Sequence, residues 1–467
     1  MATIKIINKS KNEIPKYQTE NSAGVDIRAS LDEDLVLKAG EFLTSEFSYK
    51  LGKYIADYFI GGEGKKVFIA SDTRESKDMI KLSLAAAITS MGLDVYDLNV
   101  TSTPEASYII SKNDSLFGIV VSASHNPYEY NGIKVFNKDG YKLADEVEEA
   151  IETNMLECKE LKKPERFGNY ITDEIDKTEY VKYLCSLMKD YSGLKIVCDM
   201  SNGANYVTAK EVLNESGAEI IYIHDEPNGR NINKNCGSTH LESLIETVKD
   251  NKADIGIAFD GDADRLLVVD NEGKIMDGDH ILAALATYLK KHDKLKKNKL
   301  VATIMSNIGL KKYLDAIGVE LDVTSVGDRY VLAELIKDDL SLGGEQSGHI
   351  ILKDYQNTGD GLLSAIFLIN AMVELKKTAA ELNGLMKTYP QVLLNAKVTN
   401  EIKNKVLDIK SVKNAIDDLT KNNPDMRVVI RPSGTEPLLR VMLEGEDEDE
   451  LKRLAKDLVD LIERETK

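Results

Sequence analysis

The sequence predicts an α/β protein made of three related blocks followed by a smaller α+β block. Two observations carry that expectation. Apolar runs of strand length alternate with amphipathic stretches of helix length from Phe42 to about residue 372, in three blocks of similar texture with no clean short-period repeat. Strands alternating with helices of about 10 to 15 residues mark βαβ units with largely parallel sheets. The remainder has a different order: Val392 to Val398, Arg427 to Ile430 and Leu439 to Glu444 are strand-like, and Asp449 to Ile462 carries Leu451, Leu454, Leu458 and Leu461 on one helix face.

Residues 1–41 stand apart. Ile4, Ile6 and Ile7 suggest a short strand, and Asn21 to Ala29 (NSAGVDIRA) precedes an acidic turn and Leu35-Val36-Leu37. This piece resembles the start of a dUTP pyrophosphatase, including its first motif, but none of that family's later motifs follow. In the first block, 42–160, Thr44-Ser45-Glu46 is a capping signal before a helical pattern through Tyr58. Val67 to Ala70 and Val95 to Val100 read as strands, Met79 to Met91 as a helix stopped by Gly92, and Val147 to Leu161 as a charged helix. Lys162 to Gly168 reads as a linker. In the second block, 161–273, helices are expected around Tyr180 to Met188 and Ala204 to Ser216, and strands at Leu194 to Cys198, Glu219 to Ile223 and Ile255 to Phe259. The third, 274–372, holds a helix at His280 to Lys290, a strand at Leu300 to Ile304 and a helix at Gly309 to Ile317; the fourth is 373–467.

Composition narrows the function. The 467 residues are too many for one core, and about 150 per domain gives three or four. A net charge of -18 argues against a nucleic-acid or anionic-membrane binder, so an anionic substrate would need positive charge gathered locally. Cys158, Cys185, Cys198 and Cys236 lack CxxC spacing, which fits a reducing cytosol rather than a zinc site or disulfide framework. No signal peptide or membrane-spanning run is read.

Four polar loops carry the chemistry. Val120 to Phe136 (VVSASHNPYEYNGIKVF) leaves a buried strand and breaks into Ser122-Ala123-Ser124-His125-Asn126-Pro127, placing a hydroxyl on a loop whose shape Pro127 restricts. The same residues also suit an ordinary turn. Asp260, Asp262 and Asp264 alternate directly after Ile255 to Phe259, and three such carboxylates can converge on a hard cation such as Mg2+. An EF-hand is excluded, because Arg265 stands where its glycine is needed and Asn271 where its glutamate is needed. Arg431-Pro432-Ser433-Gly434-Thr435-Glu436-Pro437 offers backbone N–H groups, hydroxyls and a guanidinium suited to a phosphate dianion; a punctuated hairpin is the alternative. Gly343 to His349 sets a carboxylate, a hydroxyl and an imidazole between glycines, suited to vicinal sugar hydroxyls, and Val326 to Tyr330 is similarly ambiguous. A poised serine, a metal loop, a sugar-type loop and a phosphate clamp together fit phosphoryl transfer on a phosphosugar.

SASHNP, DGDADR, GEQSGH and RPSGTEP together resemble the α-D-phosphohexomutase superfamily from about Phe42 to the C-terminus, and within it the phosphoglucosamine mutase branch, on the glutamine of GEQSGH and on VGDRYV and TGDGLLSA. The resemblance implies a four-domain architecture around a central cleft. It implies that Ser124 carries the phosphoryl group and that Asp260, Asp262 and Asp264 hold Mg2+ with it. Arg265, His125 and Lys134 would line the transfer site, with Lys134 a proton shuttle; Glu345, Ser347 and His349 would meet the sugar, and Arg431, Ser433, Gly434 and Thr435 the non-transferring phosphate. The implied reaction interconverts glucosamine 6-phosphate and α-D-glucosamine 1-phosphate, activated by glucosamine 1,6-bisphosphate or a similar bisphosphate sugar and feeding UDP-N-acetylglucosamine synthesis. A cytoplasmic monomer or homodimer is implied, with no nucleic-acid or membrane partner. The alternatives are a phosphomannomutase/phosphoglucomutase and a catalytically impaired fusion product. The family's usual opening strand and FGTDGIRG-like loop are missing here; Asp26-Ile27-Arg28 only echoes them, and its arginine is given no role.

Overall fold

The computed structural model describes residues 43–466 except 65, 173–175, 400–401, 404, 424 and 433–436, together with the backbone of 37–38. The expected strand at Ile4 to Ile7 and the dUTP pyrophosphatase-like motif lie outside the described residues. Leu37–Lys38 pairs antiparallel with Tyr130–Asn131.

Two compact units divide the chain, Val36–Met305 with Leu314–Met386, and a second built on Ser306–Tyr313 and Lys387–Lys467. The first unit holds three sheets made to one plan. In the first sheet the order is Ile133–Asn137, Ser115–Val121, Lys66–Ser71, Asp94–Val100, Tyr170–Thr172. Its last four strands are parallel and Ile133–Asn137 returns antiparallel at the edge. The fifth strand comes from beyond the expected boundary near 160. In the second sheet Glu219–Ile223, Lys195–Asp199 and Ile255–Phe259 are parallel, and Leu266–Asp270 and Ile275–Met276 return antiparallel. In the third, Glu320–Thr324, Lys299–Thr303 and Leu342–Gly344 are parallel and Ile350–Leu352 is the antiparallel return. Ser115–Val121 and Ile255–Phe259 are buried along their whole length, which is why they read as unbroken apolar runs rather than as alternation.

Thr44 caps the helix Ser45–Phe59, its hydroxyl accepting from Phe47 N–H at 3.2 Å, as the capping signal required. Two expected helices are shorter than their patterns. The charged helix is Asp145–Leu156 and stops before Leu161, because Cys158 takes a left-handed φ of 49° and turns the chain away. The helix expected from Ala204 is Thr208–Asn214: Ser201 and Asn202 are left-handed, and Ala204 N–H donates to Gly261 O at 2.8 Å, so these residues are committed to the neighbouring loop instead. Helices Thr103–Lys112, Glu242–Asn251, Asp328–Lys337 and Lys410–Asn422 complete regions the patterns left blank.

The second unit packs an antiparallel sheet, in the order Gln391–Lys397, Leu438–Glu444, Arg427–Pro432, against helices Lys410–Asn422 and Glu448–Glu465. Leu451, Ala455, Leu458 and Ile462 enter its core, which confirms the amphipathic reading of the last helix. No helix among the described residues is long and apolar enough to cross a membrane.

One buried carboxylate joins the first two sheets' helices. Glu105, in the first turn of Thr103–Lys112, is 1% exposed, and its Oε2 accepts from Thr208 Oγ1 at 2.8 Å. Burial raises its pKa from 4.5 to about 7, against the pull of Lys177 and of that hydroxyl. A carboxyl that keeps its proton longer in the folded state stabilises the fold below its unfolded pKa and loses that contribution as pH rises through the folded one. Glu105→Gln is therefore expected to match the wild type near pH 4 in denaturant unfolding and to exceed it at pH 8 by up to roughly 3 kcal/mol, at about 1.4 kcal/mol per pKa unit. Equal pH profiles for the two proteins would contradict this.

Candidate active site

Each sheet of the first unit sends its polar loop from the C-terminal end of a buried parallel strand to the antiparallel return. Ser122 to Asn126 follows Ser115–Val121, Asp260 to Arg265 follows Ile255–Phe259, and Glu345 to His349 follows Leu342–Gly344. Strand ends of this kind are where open α/β sheets place ligands.

The serine loop and the aspartate loop touch. Ser124 Oγ donates to Asp260 Oδ2 at 2.5 Å and lies 3.4 Å from His125 Nδ1. Ser124 is left-handed, with φ 50°, a conformation unusual for a residue with a side chain and one that cores and active sites must hold in place. The two loops approach so closely that a Cβ on Gly261 would lie 2.6 Å from Ser124 O, so only glycine fits there.

Asp260, Asp262 and Asp264 are 1%, 0% and 4% exposed, and one ligand atom from each lies within 4.8 Å of the others. Lys134, on the edge strand Ile133–Asn137, reaches Asp262 Oδ2 at 2.6 Å and Asp264 Oδ2 at 3.3 Å. The Thr103 hydroxyl also donates to Asp262. Burial pulls the Lys134 pKa down, but Asp262 and Asp264 overcome it and hold the ammonium charged. Burial, then the charges of Asp264 and Asp262, push the Asp260 carboxyl well above its usual range. Asp264 lies well below its own range: Lys134 and His349 more than offset its burial.

These residues fit a hard divalent cation. Asp262 Oδ1 and Asp264 Oδ1 are buried without a hydrogen-bond donor, three carboxylates carry more negative charge than Lys134 alone offsets, and all the donors are oxygens. A second cluster, Asp199, His224 and Cys236, does not match this chemistry: the Asp199 oxygens already accept from Ser201 and Gly237 N–H, and burial drives the Cys236 thiol up to about 12.

His125 is pulled down to about 4, by burial first and by the Arg265 guanidinium second, and stays neutral near pH 7. Arg265 N–H donates to Asp260 Oδ1 at 3.2 Å, and its Nε lies 4.0 Å from Asp264 Oδ1. His349 sits between two acids, with Nδ1 3.7 Å from Asp264 Oδ1 and Nε2 3.8 Å from Asp328 Oδ2. Gly359 N–H donates to Nε2 at 3.2 Å, leaving Nδ1 to carry the proton that faces Asp264. A Cβ at Gly359 would lie 2.4 Å from His349 Cε1, so this contact too requires glycine.

Glu345 Oε1 accepts from Gly327 N–H at 3.0 Å, and Ser347 is exposed at the tip of its loop. Gln346, on which the branch resemblance leaned, turns away to donate to Asp277 Oδ2 at 3.1 Å, tying its loop to the N-cap of the helix Gly278–Lys291. Ser124, His125, Lys134, Asp260, Asp262, Asp264, Arg265 and His349 are thus brought together. Arg431 lies in the second unit, on a strand opposite Arg440, and Ser433, Gly434 and Thr435 lie outside the described residues.

Several residues of the site escaped the sequence reading. Asp72 and Arg74 directly follow the buried strand Lys66–Ser71, the same signal that marked Ser124 and Asp260, yet the motif was not singled out. Lys142, paired with Asp328, and Asn233, whose amide reaches Ser124 O at 2.9 Å, sit in stretches with no local sign of their partners.

Four sequence models cover the chain: phosphoglucomutase/phosphomannomutase α/β/α domain I over residues 32–162, domain II over 178–273, domain III over 277–389 and the C-terminal domain over 393–461. The phosphoglucosamine mutase of Alkaliphilus metalliredigens is 49% identical over 91% of this chain and 96% of its own length. That of Clostridioides difficile is 46% identical over 90% and 95%. In structure, a phosphoglucomutase/phosphomannomutase family protein of Burkholderia thailandensis superposes with a TM-score of 0.78 over 93% of this chain and 97% of that one, at 23% identity. Aspergillus fumigatus N-acetylphosphoglucosamine mutase, solved with GlcNAc-6P and magnesium, gives 0.67 over 95% and 96%, at 16% identity. Four domain matches in order, together with close relatives over nine-tenths of the length, mean that the chain belongs to the phosphoglucomutase/phosphomannomutase family, among its phosphoglucosamine mutases, and is an isomerase of the phosphotransferase type.

Proposed function

We propose that the chain interconverts glucosamine 6-phosphate and α-D-glucosamine 1-phosphate, with Ser124 as the phosphoryl carrier. The observation that carries this reading is the placement of the Ser124 hydroxyl 2.5 Å from a buried three-aspartate cluster, beside a lysine held charged. The amino-sugar assignment draws on relatives named phosphoglucosamine mutase at 46–49% identity.

In the forward direction the hydroxyl on C1 of the 6-phosphate attacks phosphorus on phospho-Ser124. The new bond is phosphorus to sugar oxygen, the broken bond is phosphorus to Ser124 Oγ, and the attacking hydroxyl loses its proton while Ser124 Oγ gains one. Lys134, held as an ammonium by two carboxylates, is assigned to give the proton that Ser124 Oγ gains, and His125, neutral beside Ser124, to accept the one the sugar hydroxyl loses. The bisphosphate then turns so that its 6-phosphate faces Ser124 Oγ, which attacks that phosphorus; the bond from phosphorus to O6 breaks, Oγ gives up its proton, and O6 gains one. Arg265 adds positive charge where the phosphoryl oxygens gather, and Glu345 and Ser347 are assigned to the sugar hydroxyls. Arg431, Ser433, Gly434 and Thr435 are assigned to the phosphate that is not moving, and a bisphosphate sugar is the activator that first loads Ser124. Asp260, Asp262 and Asp264 would hold Mg2+, which supplies charge neutralisation on the phosphoryl oxygens. The division proposed is 42–160, 161–273, 274–372 and 373–467, with the first limit moved past Thr172 so that Tyr170–Thr172 stays with its sheet.

Incubation with glucosamine 1,6-bisphosphate is expected to add the mass of one phosphoryl group to the wild type and none to Ser124→Ala, with turnover of the variant falling by at least about a thousandfold. Intact-mass spectrometry reads the first, and an unphosphorylated wild type would end this assignment. Turnover of glucosamine 6-phosphate is expected to exceed that of glucose and mannose phosphates; the reverse order would favour the neutral-sugar mutase.

Mg2+ is expected to raise the thermal midpoint of the wild type, since saturation a hundredfold above Kd stabilises by about 2.7 kcal/mol. Asp262→Asn should lose most of that shift. Equal shifts in both proteins would place the ion elsewhere.

A further inference from the structure

We propose that Asp72, Arg74 and Ser122 form a clamp that holds Ser124 in its transfer-competent conformation, as positioning residues rather than catalytic ones. The inference rests on the reading of Ser124 as phosphoryl carrier.

Arg74 is the largest fully buried side chain among the described residues, and its guanidinium divides its donors between Asp72 and the serine loop. Nε donates to Asp72 Oδ2 at 2.8 Å, and Arg74 N–H to Asp72 Oδ1 at 3.0 Å. Nη2 donates to Ser124 O at 2.9 Å and Asn126 O at 2.8 Å, and Nη1 to Tyr130 O at 3.0 Å and to Pro127 O. One guanidinium therefore gathers four carbonyls of the serine loop, a task that its planar fork suits and a lysine's ammonium does not.

The other side of the same peptide is held through Ser122. Its hydroxyl donates to Asp72 Oδ2 at 2.7 Å and accepts from Ser124 N–H at 3.0 Å. Both backbone polar groups of Ser124, N–H by way of Ser122 and C=O directly, thus lead to one buried ion pair. Two fixed ends over-determine the torsions between them, and this is what a left-handed φ of 50° at a non-glycine residue needs to persist.

Asn233 adds a grip from the second sheet's side. Its Nδ2 donates to Ser124 O at 2.9 Å and Asn126 O at 3.1 Å, the same two carbonyls that Arg74 Nη2 holds. Held twice, these carbonyls fix the loop in the conformation that aims Ser124 Oγ at Asp260.

The test uses the full-length protein, with Arg74→Lys and Ser122→Ala beside the wild type. Arg74→Lys keeps the charge and the ion pair but not the four-carbonyl grip. Ser122→Ala keeps the Arg74 side chain, frees Ser124 N–H and takes one donor from Asp72 Oδ2. Steady-state kinetics with glucosamine 6-phosphate are paired with single-turnover transfer from phospho-Ser124, followed by intact mass. The expected result is a kcat lower by about 10- to 100-fold, KM within twofold, and single-turnover transfer slowed by the same factor in both variants, as misplacement of a reacting atom by about 1 Å would give. If kcat and the transfer rate stay within twofold of wild type in either folded variant, or if KM rises while kcat holds, the clamp is overturned. If Ser124 of the wild type itself takes up no phosphate, the carrier reading falls and takes the clamp with it; phosphorylated wild type with kinetically normal variants removes the clamp alone.

Discussion

Three carboxylates buried beside one hydroxyl are the constraint on which the arrangement of the first unit depends. Asp260, Asp262 and Asp264 have almost no contact with water, and removing one charge from water costs several kcal/mol even after the surroundings relax. The compensation is drawn from more than one sheet. Lys134 comes from the edge of the first and Arg265 from the loop itself, His349 of the third turns its Nδ1 toward Asp264, and Asp328 pairs with Lys142 beyond it. In a chain with a net charge of -18, Lys134, Arg265 and Lys142 are thus gathered beside these acids.

The same plan, used three times, brings the pieces together. A parallel strand buried on both faces must end in polar residues when it leaves the sheet, and an antiparallel return keeps its tip short and fixed. Ser122 to Asn126, Asp260 to Arg265 and Glu345 to His349 occupy this one position in three sheets. Gly261 and Gly359 mark the places where neighbouring parts come too near for a side chain. Such contacts leave the loops little freedom, which suits chemistry that depends on a phosphorus atom meeting its acceptor in line.

A fully buried strand is an uninterrupted apolar run, and Ile255–Phe259 falls where the pattern placed it; Glu219–Ile223, only partly buried, was also found from its apolar residues. Helices were less so. Thr103–Lys112 buries Thr103, Glu105 and Ser107, polar residues that no amphipathic pattern assigns to an interior, and Asp328–Lys337 leaves Tyr330 and Ile336 exposed. Ala204 looked helical by composition, yet its N–H is committed to Gly261. Ser124, the three aspartates and His349 were readable because each stands in a polar loop after an apolar run, whereas Lys134, between Ile133 and Val135, was pointed to only by the family resemblance. Arg74 was not, since a lone arginine after Asp-Thr looks like a solvated charge until its four carbonyl partners are seen.

From the amino acids alone come the local facts: which runs are apolar enough to be strands, where a hydroxyl or a carboxylate must leave a sheet, and which family's motifs those loops resemble. Local chemistry dictates these, because burial and backbone torsion act over a few residues. The tertiary structure decided what the loops do to one another: that Ser124 Oγ meets Asp260, that Lys134 bridges Asp262 and Asp264, and that Arg74 and Asn233 close on the same carbonyls. These pairs lie tens to more than a hundred residues apart, and only the packing of whole sheets, set by many weak apolar contacts acting together, brings them within hydrogen-bonding distance.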